Sequence, residues 1–294
     1  MSDRIVQLPW VALLALLAVV ALRPALAGTP VNVLYAGSLV QVMEHGVGPA
    51  FDTASGDRFR GYAGGSKLLA NQIRSGLRAA DVFISADPGV NRRLMGPGAP
   101  ESVRWYAIFA QSPLVIGYDA SSGFARSFAT KPWYRVLQEP GIRIGRTDPK
   151  LDPKGALTLR LMQRAETVYR LPGLERRVLG DPENPAQVLP EEVLVGRLQS
   201  GQIDAGFFYS TETAAAHIPT VRLPASVAPT ARYTVTILNG APHPAAARAF
   251  VRFLLGPDGR RLLERSGLEL RSPAVEGDVH AVPGALRGLL GAHE

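Results

Sequence analysis

The 294-residue sequence contains no cysteine. That excludes thiolate metal sites, thiol nucleophiles and disulfide staples, and by itself it leaves the redox compartment open. The short signatures of much catalytic chemistry are missing too: there is no Gly-x-Ser-x-Gly elbow, no phosphate-loop Gly-Lys-Ser/Thr and no His-Glu-x-x-His. The histidines, at 45, 217, 243, 280 and 293, lack metal-ligand spacing and read as surface residues. The basic residues are scattered, with pairs at Arg92-Arg93, Arg176-Arg177 and Arg260-Arg261 and no stripe interleaved with aromatics, so no nucleic-acid partner is expected. There is no internal repeat and no low-complexity tract, and beyond residue 27 no stretch is apolar enough to span a bilayer.

What is present is ordinary globular material, 46% hydrophobic and 19% charged, long enough for two domains of roughly 100–150 residues each. The first residues set the compartment. Arg4 gives a basic start, residues 11–22 are an unbroken apolar run, and Ala25-Leu26-Ala27 fits the small-residue cleavage rule. The run is shorter than the ~20 residues a membrane span needs and ends at Arg23-Pro24, so residues 1–27 are expected to be a signal peptide cut after Ala27. The expected location is periplasmic or otherwise extracytoplasmic, without a lipid-bearing cysteine. The formal charge is +7; removing residues 1–27 takes away Arg4, Arg23 and Asp3 and leaves +6, enough for mild attraction of small anions.

The mature chain alternates strands with helices. Val31, Val33 and Tyr35 mark a short strand that runs into Gly37 and Ser38, with Ser38 where a helix N-cap belongs and a helix expected on to Phe51. Such a turn points unpaired N–H groups and a hydroxyl at one spot, where a helix start also carries partial positive charge. A second turn of the same kind follows a strand at 59–62: Ala63-Gly64-Gly65-Ser66, with Ser66 at the cap. Further strands are expected at 81–87, 109–118, 142–144, 204–208 and 233–238. Helices are expected at 156–170, from Glu191-Glu192 to about Ser200, at 245–255 and at 257–266, ahead of a polar tail. This alternation predicts an α/β layout with a parallel sheet, the long strands at 109–118 and 233–238 crossing between two lobes.

Five segments carry a resemblance: Tyr35-Ala36-Gly37-Ser38, Gly64-Gly65-Ser66, Ala80-Asp81-Val82-Phe83, Asp148-Pro149-Lys150-Leu151-Asp152-Pro153-Lys154-Gly155 and Asp204-Ala205-Gly206-Phe207-Phe208-Tyr209-Ser210. In this order and spacing, behind a signal peptide, the chain resembles the extracytoplasmic solute-binding proteins of molybdate/tungstate ABC transporters, from Val31 to about Leu270. The resemblance implies an α/β, two-lobe periplasmic-binding-protein fold of type II-like topology, with the ligand in the interlobe cleft. Lobe 1 would be residues 28–112 plus 235–294, lobe 2 residues 113–234, and two crossing strands would join them. It further implies a monomer that is not an enzyme, needs no cofactor, binds molybdate or tungstate as a small oxyanion, and delivers it to an ABC transporter permease. Ligand contacts would come from the hydroxyls of Ser38 and Ser66, an amide near Lys154, an amide near Glu191 and the Tyr209 hydroxyl.

Some members of the family add a pair of carboxylates around the metal. Asp152 matches the first; the second falls on Phe208, leaving Glu212 or Glu191 as substitutes, and the expected site is a tetrahedral anion held by neutral donors. Neutral N–H and O–H groups suit that task, because a doubly charged oxyanion must have its hydration replaced, and hydrogen bonds to a charged acceptor are about twice as strong as neutral ones. Sulfate-type and ferric-ion binders on the same scaffold, or a ligand-dependent sensor, are the alternatives; iron would call for paired tyrosines and carboxylates. Each residue also has a plainer reading: Ser38 and Ser66 as helix caps, Tyr209 as a half-buried aromatic, Asp152 as a turn residue, and Glu191 as a first-turn carboxylate favoured by the helix dipole.

Overall fold

The structure, a computed structural model, describes residues 28–96 and 102–292. The expected signal peptide at 1–27, and His293, lie outside the described residues. Nine strands are described: β1 (Pro30–Ala36), β2 (Arg58–Gly64), β3 (Val82–Ser85), β4 (Trp105–Tyr118), β5 (Ile144–Gly145), β6 (Ala205–Tyr209), β7 (Thr220–Val221), β8 (Thr230–Ile237) and β9 (Glu269–Gly277). They form one sheet in the order β2-β1-β3-β8-β4-β6-β5, with β7 and β9 also pairing with β4.

β1 lies parallel to both β2 and β3, and from Val33 to Ala36 every one of its residues is buried. An apolar run without polar alternation is what a strand covered on both faces requires. Two of the sequence's apolar sets cover it. On one face Phe51 and Phe59 meet Phe250 of the helix Pro244–Leu255, edge-on at 5.2 Å and stacked at 5.7 Å between ring centroids. On the other, Leu34 and Phe83 pack with Leu69, Ile73, Val90 and Leu94.

β4 ties the molecule together. Its first part pairs antiparallel with β8, from Ala107 opposite Val235 to Pro113 opposite Thr230; its last part pairs with β6, from Leu114 opposite Tyr209 to Tyr118 opposite Ala205. The registers to β8 and β9 both slip between Ile108 and Ala110, so Phe109 sits at a bulge, where strands bend and twist more strongly.

Four features depart from the sequence-based expectation. The sheet is mixed rather than parallel: β1 runs parallel to β2 and β3, and β5 to β6, but β8 and β4 pair antiparallel with their neighbours. β4 starts at Trp105, because the apolar run continues unbroken upstream of Phe109. The single helix expected from Ser38 to Phe51 is instead a 3-10 turn (Gly37–Leu39), a short α segment (Val40–Val42), a π turn (Met43–Val47) and an α-helix (Gly48–Ser55). Pro49 has no N–H to give and its ring crowds the preceding turn, which accounts for the widened backbone there. The polar tail supplies β9, paired to β4 from Gln111 opposite Glu269 to Trp105 opposite Gly277. None of the nine β9 residues is fully buried, so no apolar alternation betrays it.

Phe250→Ala removes the ring that Phe51 and Phe59 share, and is expected to destabilise the fold by about 3–5 kcal/mol in urea unfolding; a loss under about 1 kcal/mol would show that the two rings repack without it.

Candidate functional site

The site begins where β1 ends. Gly37 and Ser38 enter a 3-10 turn capped by the backbone of Ala36, so Ser38 lies inside the turn and is not its N-cap. Its hydroxyl shares a 3.0 Å hydrogen bond with the Tyr233 hydroxyl instead. The Gly37 N–H donates to Glu191 Oε2 at 2.8 Å, a contact spanning 154 residues of sequence. A side chain at 37 would place its Cβ 2.9 Å from that oxygen, so glycine permits the approach.

The second turn behaves alike. Gly65, not Ser66, occupies the cap of the helix Ser66–Arg74, and the buried Ser66 hydroxyl accepts the Ala86 N–H at 3.1 Å. A Cβ on Gly65 would lie 2.6 Å from the Leu151 carbonyl oxygen. That carbonyl accepts the Leu68 N–H at 2.9 Å, and Lys67 Nζ donates to the Pro149 carbonyl at 2.6 Å. The loop carrying Asp152 is thereby pressed onto the start of this helix.

Asp152 caps the helix Pro153–Tyr169, with Pro153 at the first position, where a missing N–H costs nothing. Asp152 Oδ1 accepts the Lys154 N–H and the Thr147 hydroxyl, both at 2.8 Å. The amide expected to face a ligand near Lys154 is therefore engaged by this carboxylate. What Lys154 presents is its side chain: fully buried, with Nζ 2.7 Å from Glu212 Oε1 and 3.4 Å from Glu191 Oε1. Glu212 Oε2 accepts the Tyr209 N–H at 2.7 Å. The Tyr209 ring, fully buried rather than half-buried, packs edge-on against Tyr233 with centroids 6.1 Å apart.

Ser38, Ser66, Asp152, Lys154, Glu191 and Tyr209 thus converge, although they come from five separated stretches of chain. Glu191 contributes more than the backbone amide expected of it, since its side chain crosses to Gly37. Sequence reasoning missed Tyr233 and Thr147, which nothing in the local pattern marks, and held Glu212 only in reserve. Its position three residues after Tyr209, in the first turn of the helix Ser210–Ala215, was the available signal. Among the remaining histidines, His243 is half-buried rather than on the surface: its N–H and Nδ1 contact the buried Asp81 at 2.6 and 3.1 Å.

Charge distinguishes this cluster from the ring of neutral donors anticipated. Three carboxylates and one ammonium are removed from water together. Burial opposes the charge on Lys154, but Glu212, Glu191 and Asp152 override it and hold the ammonium above the ordinary lysine range. Burial, reinforced by Asp152 and Glu212 and opposed by Lys154, pushes the Glu191 carboxyl well above its usual range. Burial also raises Glu212, with Lys154 opposing, and raises the phenols of Tyr209 and Tyr233. Among the described residues, Asp152 Oδ2, Glu191 Oε1 and the Tyr209 hydroxyl are buried without a hydrogen bond. Orphaned buried polar atoms cost ~1–3 kcal/mol each, so a cluster holding several of them calls for an explanation, though Glu191 Oε1 lies 3.4 Å from the Lys154 ammonium. Beside them a cavity of about 250 Å³ is lined by Gly37, Ser38, Glu191, Glu192, Thr211 and Glu212.

Comparison with known proteins adds a family and a fold. Residues 31–269 match the family described as bacterial extracellular solute-binding protein. A putative ABC transporter molybdenum-binding protein of Haloferax volcanii is 30% identical over 274 residues, 85% of each chain. A molybdate/tungstate-binding protein of Thermococcus kodakarensis is 23% identical over 284 residues, 81% of this chain and 79% of that one. Among solved structures, the periplasmic molybdate-binding protein of Azotobacter vinelandii superposes with a TM-score of 0.63 at 22% identity, covering 82% of this chain and 99% of that one. The fold is accordingly the two-lobed one of periplasmic binding proteins, as the resemblance implied.

Lys154→Met leaves Glu212 and Glu191 without their cation and is expected to destabilise the protein by about 3–5 kcal/mol in chemical denaturation. Adding Glu212→Gln should restore part of that loss; a double variant no more stable than the single one would mean that the ammonium does not hold the cluster together.

Proposed function

Starting from a chain that belongs to the bacterial extracellular solute-binding proteins, we propose that it captures one oxyanion of the molybdate/tungstate class outside the cytoplasmic membrane and hands it to an ABC importer. The names of its relatives support the ligand class and the transporter partner. The observation that carries the reading is the Gly37 N–H bound to Glu191 Oε2. A donor at the tip of β1 already holds a carboxyl oxygen, supplied by the turn at Glu191. A free oxyanion entering beside it would meet the hydroxyls of Ser38, Ser66 and Tyr209 and the partial positive charge at the helix start beside Gly65.

In this reading lobe 1 comprises residues 28–112 and 235–294 and lobe 2 residues 113–234. The change of β4 partners between Pro113 and Leu114 supports that division. The protein acts as a monomeric carrier with no catalytic step. Tyr209 and Tyr233, next to Asp152 and Glu191, do assemble oxygen donors of the sort a ferric ion takes. The Lys154 ammonium already occupies Glu212 and Glu191, the carboxylates a trivalent cation would need, and the names of the relatives favour the oxyanion.

Thermal unfolding with molybdate, tungstate, sulfate, phosphate and Fe(III) in turn tests this. A ligand at 100 times its dissociation constant stabilises by ~2.7 kcal/mol, and molybdate or tungstate is expected to give the largest shift. A shift with Fe(III) alone would overturn the reading. Ser38→Ala combined with Ser66→Ala is expected to weaken molybdate binding at least about tenfold, the worth of one hydrogen bond to a charged group, with cooperative unfolding of the ligand-free protein retained. Unaltered affinity would make both serines purely structural.

A further inference from the structure

We propose that the anion enters this site together with one proton, and that Glu191 is the group that takes it up. The proposal rests on the oxyanion reading above and adds how the site tolerates the charge. Glu191 has one oxygen on the Gly37 N–H and the other buried 3.4 Å from the Lys154 ammonium without a hydrogen bond, and Asp152 Oδ2 is orphaned in the same cluster. An ionised carboxylate only accepts hydrogen bonds, and so do the oxygens of a fully deprotonated oxyanion. Set face to face in a dry site they repel, with no hydrogen between them. One proton on Glu191 removes that conflict: its O–H becomes a donor to the anion's oxygen, and one negative charge disappears.

Among the groups that face Glu191, the buried phenols of Tyr209 and Tyr233 are neutral donors held protonated by burial, so they take up no further proton. Lys154, on the helix Pro153–Tyr169, is the one ammonium facing Glu191, and its shortest contact, at 2.7 Å, is with Glu212 of the helix Ser210–Ala215. Asp152, at the cap of the first of these helices, faces Glu191 as a further negative charge. The turn Gly37–Leu39 brings N–H groups and the Ser38 hydroxyl but no ionisable side chain. β2, which also packs on the Glu191 turn, carries Arg58, Arg60 and Tyr62, all exposed. Glu192 is exposed, as is Arg197 on the helix Leu194–Gln199, which bonds Gln202. Burial and the neighbouring carboxylates already hold Glu191 above the ordinary carboxyl range, and an arriving dianion raises it further.

The transfer is simple in its balance. A buffer acid or hydronium ion gives up its proton, an O–H bond forms on a Glu191 oxygen, and the buffer is left as its conjugate base. The sign follows from linkage: the liganded state binds more protons, so affinity falls as pH rises above the value at which ligand-free Glu191 ionises, by up to about tenfold per pH unit for one proton.

The test is isothermal titration of the mature chain with sodium molybdate, a dianion throughout the range, from about pH 6 to about pH 9, in paired buffers of low and high ionisation enthalpy. The expected result is an affinity that weakens towards high pH, with buffer-dependent heats reporting an uptake that approaches one proton per anion there. Glu191→Gln keeps an oxygen for the Gly37 N–H and supplies a permanent N–H donor, so its affinity is expected to stay flat with pH and its uptake to vanish. Should that variant not fold, the wild-type paired-buffer heats decide alone. Molybdate binding that is independent of pH and of buffer overturns the proposal while leaving the oxyanion reading intact. Uptake that persists in Glu191→Gln and is lost in Asp152→Asn overturns the assignment to Glu191. If neither molybdate nor tungstate binds at any pH, the oxyanion reading falls and this proposal falls with it.

Discussion

A single ammonium group, Lys154 Nζ, holds the site together. It is fully enclosed, and Glu212 and Glu191 reach it from two other segments of chain, with Asp152 close enough to add to its charge. An unpaired charge in that position would cost several kcal/mol, and each carboxylate alone would cost as much. The segments that meet here, the end of β6, the start of the helix Pro153–Tyr169 and the turn at Glu191, are therefore fixed relative to one another by electrostatics as well as by packing. Because Glu191 also reaches Gly37, the arrangement extends from the lobe that carries Lys154 to the tip of β1 in the other.

Two glycines let the lobes come this close. At Gly37 a carboxylate, and at Gly65 a carbonyl, occupy space that any side chain would need. At these two points the contact is made by hydrogen-bonding backbone, while apolar side chains from both stretches of chain share one buried cluster nearby. Contacts of this kind are individually modest, about 0.5–1.5 kcal/mol net.

Most of the fold was legible in the sequence. Apolar runs ending in Gly-Ser mark β1 and β2, and the Pro-bounded helical patterns at 153–169, 244–255 and 257–265 reflect local chemistry that tertiary contacts reinforce. β9 was not legible, because a strand that gains its stability from pairing with β4 and buries little of its surface has no periodicity to display. Of the six candidate residues, Ser38 and Ser66 stand out from their strand–Gly–Ser turns, and the site roles of all six came from the family resemblance. Their partners could not be named in either way. Tyr233 lies in the middle of an apolar strand pattern and joins the site only because β8 lies against β4. The exchange of roles at Ser38 and Ser66, whose hydroxyls bond Tyr233 and Ala86 rather than capping their own helices, likewise depends on neighbours distant in sequence.

The pairing of β4 with β8 and β9 bears on the order in which the chain can fold. The middle strand of the sheet finds two of its hydrogen-bonding neighbours only near the end of the chain, and pairings this remote in sequence form slowly. A polypeptide emerging from the ribosome cannot complete its framework until almost all of it has been made. The charged cluster, whose Tyr209 packs edge-on against Tyr233 of β8, is complete only once that late pairing has formed.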